Sequence, residues 1–183
     1  MKTQLPFFKG LASLCLLLTL MSHSLLAQTT VTIGAGADWT DVMLYKNNQN
    51  SSIANTNYHD QARNLASAWT SNGYTTFWRT LFKFNLSNIP SGAVIQSATL
   101  YLYSDPTSTT NGPTSNSPYS GSNAVYFEKV TANWGETTVT WNTQPATTTS
   151  GRIWQQASTS TTENIQVNLT SFVQEWVNSP SAN

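Results

Sequence analysis

The chain has 183 residues, with eight Lys and Arg balanced by eight Asp and Glu, and only 9% of its residues are charged. No basic stripe marks a nucleic-acid partner, and a single cysteine, Cys15, excludes an intrachain disulfide framework. Aromatic residues reach 11%, including seven Trp, more than the core of so small a domain usually absorbs.

At the N-terminus Lys2 and Lys9 flank LASLCLLLTLM, an apolar run too short to span a bilayer, and SHSLLAQ follows. This is the pattern of a secretory signal peptide over residues 1–27, with the cut after Ala27 and a cut after Ser24 as the alternative. It places the protein outside the cell or at its surface. Cys15 follows Leu14, where a lipid anchor requires a small residue, so it reads as filler in the discarded segment. Removal of the signal leaves 156 residues, 28–183, with six basic and eight acidic side chains. That length suits one domain, able to bury roughly 70% of its unfolded surface without a disulfide.

TTVTIG (29–34) reads as a short opening strand with Val31 and Ile33 on one side, and residues 46–57 as a polar, Asn-rich loop. Trp69 and Trp78 lie near the loop TSNGY (70–74), which makes them candidates for an exposed platform. In TFWRTLFKFNL, Trp78, Thr80, Phe82, Phe84 and Leu86 share the face predicted to be inward, and Phe77, Arg79, Leu81, Lys83 and Asn85 the other. After the turn NIPSG (88–92), SATLYLY places Ala98, Leu100 and Leu102 inward and Thr99, Tyr101 and Tyr103 outward. Residues 105–123 form a long polar surface loop. Further strands are predicted over AVYFEKV (124–130), TVTW (138–141), GRIWQQ (151–156) and NIQVNL (164–169). Thr170 can cap one short helix that sets Phe172, Val173, Trp176 and Val177 on one face before Pro180 stops it. The whole predicts an all-β protein: an antiparallel, jelly-roll-like sandwich with one short C-terminal helix.

If the strands around NIPSG pair as a hairpin, Arg79 and Lys83 lie near Tyr101 and Tyr103, joining cations for carboxylates to rings that stack on sugar C–H faces. The plainer reading packs that face under a loop or helix and pairs Arg79 with Asp105 or Glu128. Trp134 is a further stacking candidate, whereas Trp141 alternates with Val139 as a core residue does. Catalytic parts are scarce. His59 is the mature chain's one histidine, and no nucleophile elbow or zinc-binding helix motif occurs. The acidic residues follow no spacing that selects a catalytic pair. Asp38, Asp41 and Asp60 near Asn-rich turns offer weak calcium ligands, solvated turn residues being the better reading, and no cofactor is expected.

RTLFKFNLSNIPSGAVIQSATLYLY, VTANWGETTVTWNTQP and VNLTSFVQEWVNSP occur in that order. In this three-part arrangement, over about residues 38–183, the chain resembles the DNRLRE domain, also described as carbohydrate-binding module family 96 and as disaggregatase-related. The resemblance implies an extracellular β-sandwich that binds polysaccharide, acidic glycans such as alginate among the ligands; with catalytic parts scarce, non-catalytic binding is the expected function. Arg79, Lys83, Tyr101, Tyr103, Trp78, Trp69 and Trp134 are the candidate contacts. The alternatives are a structural or adhesive module of a larger surface protein, or part of a polysaccharide lyase or hydrolase. The chain stops at NSPSAN, where the family pattern continues through an aromatic-Gly segment, so a C-terminally truncated domain with further domains in the full-length protein is expected.

Overall fold

The computed structural model describes residues 28–34, 38–104, 122–160 and 162–180. The expected signal peptide and most of the loop 105–123 lie outside the described residues. The chain divides into two compact units, Met1–Thr32 and Ile33–Asn183. In the first, residues 28–32 carry no regular structure and Val31 is exposed. The opening strand predicted over 29–34 does not form, because two apolar side chains bury too little to hold a strand.

The second unit carries β1 (Trp39–Asn47), β2 (Ser67–Ser71), β3 (Tyr74–Phe84), β4 (Thr99–Leu102), β5 (Val125–Val130), β6 (Thr147–Gln155), β7 (Ile165–Asn168) and the helix α1 (Thr170–Asn178). Every pairing is antiparallel, in the orders β1-β3-β2, β4-β7 and β5-β6. This is an all-β sandwich with one short helix.

Two cores hold it. The first gathers Val42, Leu44, Leu81 and Val139, with Val130, Trp134 and Trp141 packed against them. Strand β1 escaped prediction because Val42, Met43 and Leu44 are all buried, so both its faces are covered and no polar alternation marks it. Val42 pairs with Leu81, so the β3 face of Phe77, Arg79, Leu81 and Lys83, predicted to be outward, is the one that reaches this core. The opposite face is half-buried and lined by aromatic contacts: Tyr45 stacks on Trp78 with centroids 3.7 Å apart, and Trp39 on Phe82 at 6.0 Å. Since β3 is apolar on both sides, alternation alone could not tell which side faced in.

Asn72 and Gly73, at φ 50° and 83°, form the two-residue turn between β2 and β3, where an Asn-Gly pair suits the twist of a hairpin. The strand predicted over 138–141 is instead a run of turns. The Thr138 and Val139 N–H groups both donate to the Gly135 carbonyl. Asn57 Nδ2 donates to the Glu136 and Val139 carbonyls at 2.8 and 2.6 Å, satisfying groups that a ladder would otherwise pair.

The second core joins Val167, Leu169 and Phe172 to Leu100, Leu102, Phe127, Ile153, Ile165, Val173 and Trp176. The inward positions predicted on β4 and β7 hold. Thr170 does not cap α1 through its side chain; Leu169 occupies the N-cap position. Thr170 Oγ1 instead accepts from the Ala98 N–H at 3.0 Å and donates to Asn168 Oδ1 at 2.7 Å. Gln174 accepts from the Ile95 N–H and donates to the Ala93 carbonyl. A nine-residue helix is marginal in water, and these ties with buried Phe172 and Val177 stabilise it.

Candidate functional site

Arg79 stands on β3 opposite Leu44, with an exposed side chain. Its guanidinium lies 4.9 Å from the Trp141 ring centroid. Its Nη1 donates to Gln144 Oε1 at 2.9 Å, and Gln144 Nε2 donates in turn to the Trp141 carbonyl at 2.7 Å. Lys46, opposite Phe77 on the same face, brings Nζ to 5.7 Å from the Trp141 centroid and 5.8 Å from that of Phe77. Lys83, half-buried and opposite Thr40, shares this face. Glu128, one of the expected partners of Arg79, is engaged elsewhere, and Asp105 lies outside the described residues.

Tyr101 and Tyr103 are exposed by 53% and 76%, as their outward positions predicted. The hairpin that was to set them beside Arg79 and Lys83 does not form: β4 pairs with β7, and β3 with β1 and β2. Tyr101 therefore faces Gln166 across the ladder, and Thr99 faces Asn168. With Ser97 and Thr170, Thr99, Gln166 and Asn168 line a shallow polar depression.

Trp78 is half-buried, stacked on Tyr45, with Tyr58 edge-on to both rings at 5.9 and 6.4 Å. Burial there pushes the Tyr58 hydroxyl above its ordinary pKa. Trp69 is half-buried on β2 opposite Thr76, and Trp134 is half-buried against the first core.

The sequence reasoning missed an exposed pair of aromatic rings in contact with each other. Tyr126 and Trp154 are direct partners across β5 and β6, 49% and 56% exposed, with centroids 4.8 Å apart and planes at 53°. Their neighbours Phe127 and Ile153 point into the second core, so the alternation of both strands holds the two rings outside. The Arg152 guanidinium sits 3.8 Å over the Tyr126 ring. Arg152 Nη1 is also 3.8 Å from Glu128 Oε1, while Glu128 Oε2 accepts from Thr147 Oγ1 at 2.7 Å. A bulge shapes this edge, because the pairing jumps from Phe127–Ile153 to Lys129–Thr148 and leaves Glu128 opposite the residues between Thr148 and Ile153. Gly151, at φ 69°, supplies the left-handed residue within it.

The alternation of AVYFEKV and GRIWQQ already placed Tyr126 and Trp154 outside whenever Phe127 and Ile153 point in. Only the cross-strand register showed that they meet. The result is an indole face for stacking, a cation, and a carboxylate with a hydroxyl within a few residues: the mixture that a sugar, apolar on its C–H faces and polar at its rim, can use. Among the described residues no three His, Cys, Asp or Glu side chains gather as a metal site, so Asp38, Asp41 and Asp60 do not form one together. No helix among those residues is long and apolar enough to cross a membrane.

A family model, carbohydrate-binding module family 96, matches residues 47–182. The chain belongs to this family. No curated protein and no solved structure matches it. The match takes in every strand of the family 96 module except β1, of which it includes the last residue, and all of α1. Arg79, Tyr101, Tyr126, Arg152 and Trp154 lie inside the matched stretch, and Lys46 immediately precedes it.

Proposed function

We propose that this family 96 module is an exported, non-catalytic binder of an acidic polysaccharide such as alginate or pectate, and that the outer face of β5 and β6 makes the contact. The observation that carries the reading is the exposed Tyr126–Trp154 pair with Arg152 laid on it. Two large rings half in water gain from being covered, and a pyranose ring presents a C–H face of matching size and slight positive character to the negative face of an indole. Arg152, its guanidinium 3.8 Å over the Tyr126 ring, is held in place with N–H donors available to a carboxylate. Its approach to Glu128, at 3.8 Å and with an exposed guanidinium, is too long for a hydrogen bond and competes weakly. Tyr101, Tyr103 and the polar depression beside them offer further contacts for a long chain.

Affinity electrophoresis of the full chain through gels containing alginate, polygalacturonate or a neutral β-glucan tests this reading. Retardation by the two acidic polymers, reduced as salt is raised, is the expected result. Migration unaffected by every polymer would end it.

A further inference from the structure

We infer that Lys46, Arg79 and Trp141 form a second, anion-selective subsite that takes the carboxylate of an acidic sugar. It rests on the reading that the module binds glycan, and it adds a second contact for charge, separate from Arg152.

Two cations converge on one half-buried indole, Arg79 at 4.9 Å and Lys46 at 5.7 Å from its centroid, on the same face of the β1–β3 pair. Among the described residues no carboxylate lies within ion-pair distance of either. Elsewhere the chain provides acids: Lys129 pairs with Glu175, and Arg152 lies beside Glu128. Like charges gathered on one ring repel over distances that physiological salt screens only in part. A carboxylate relieves both at once.

Cation–π attraction alone accounts poorly for the arrangement. Its useful range ends at about 6 Å from the centroid, and Lys46 sits near that limit for both Trp141 and Phe77. Arg79 is better held. Gln144, itself tied to the Trp141 carbonyl, engages one guanidinium nitrogen and fixes the plane of the group while leaving other donors for an incoming pair of oxygens. Trp141, only half-buried, leaves indole surface for the ring that bears the carboxylate. Lys83, on the same face, extends the positive field along the sheet.

The test titrates the full chain with trigalacturonate and with its neutral methyl ester, following the indole N–H resonances of Trp141 and Trp154 separately by NMR. The acid is expected to shift Trp141 and to bind about tenfold more tightly than the ester, the scale of one charge-assisted contact. The double variant Lys46→Gln, Arg79→Gln should abolish the acid-specific shift of Trp141 and narrow the preference for the acid to what Arg152 alone supplies, without changing the affinity for the ester. A Trp141 signal unmoved by the acid overturns the subsite, as does a folded double variant whose preference for the acid is undiminished. If Trp154 shifts while Trp141 does not, the β5–β6 platform stands and the subsite falls. The converse supports the subsite and removes the platform, and silence from both rings removes both.

Discussion

Replacing Trp154 by Ala is the most direct perturbation of the β5–β6 face. A Trp side chain presents on the order of 200 Å² that full burial would remove from water. Trp154 is 56% exposed, which leaves roughly 100 Å² in solvent. A sugar ring covers one face, about 50 Å², and loses a comparable apolar patch of its own, so at ~25 cal/mol per Å² the contact contributes about 2.5 kcal/mol. Immobilising the groups involved offsets about 1 kcal/mol, leaving ~1.5 kcal/mol, or roughly a tenfold rise in Kd for the variant. Folding should suffer less, since the variant loses its contact with Tyr126, worth about 1 kcal/mol and ~2–4 °C in Tm for a domain of this size. Isothermal titration with an acidic oligosaccharide, beside a circular-dichroism melt, separates the two effects. A folded Trp154→Ala protein that binds within twofold of the wild type would show that this ring is not the platform.

Leu44 is fully buried in the first core, so Leu44→Ala should cost about 2–5 kcal/mol, read as a large fall in Tm, and a melt within a degree of the wild type would contradict the placing of β1 at the centre of that core. An added Cβ at Gly151 meets nothing within 4 Å, but φ is 69°, so Gly151→Ala should cost about 1–2 kcal/mol through backbone strain alone. By disturbing the bulge that carries Arg152, it should also weaken retardation by acidic polymers, and unchanged binding together with unchanged stability would refute the role given to the bulge. Tyr58 has a folded pKa raised mainly by burial, so the unfolded chain ionises first; its contribution is intact below about pH 10 and is lost as pH rises through the folded value. Chemical denaturation between pH 9 and 11.5 should show that loss in the wild type and a smaller one in Tyr58→Phe, and parallel curves would count against burial of the hydroxyl.

What was legible in the chain follows from how much each residue's neighbours in sequence constrain it. The strand pattern of NIQVNL and SATLYLY held because one side of each is polar, and a strand with one wet face shows its orientation in its own residues. The helix over 170–178 was equally plain from Phe172, Val173, Trp176 and Val177 at helical spacing. The β3 faces were not told apart because Phe82, Phe84, Leu81 and Phe77 make both sides apolar: Leu81 reaches the first core from the face predicted outward, where Arg79 stays exposed, and the other face is half-buried. β1, greasy on both sides, gave no alternation at all.

The candidate site shows the same division. Exposure of Tyr101 and Tyr103 followed from strand period alone. Which strand lies beside which did not, since pairing is settled by contacts between residues far apart in the chain and by a local bulge. Composition and periodicity were thus enough for an antiparallel β-protein carrying spare aromatic rings on its outside. The meeting of Tyr126 with Trp154, and of Lys46 and Arg79 over Trp141, belongs to the folded register, because a side chain's period says which way it points and nothing of what stands next to it.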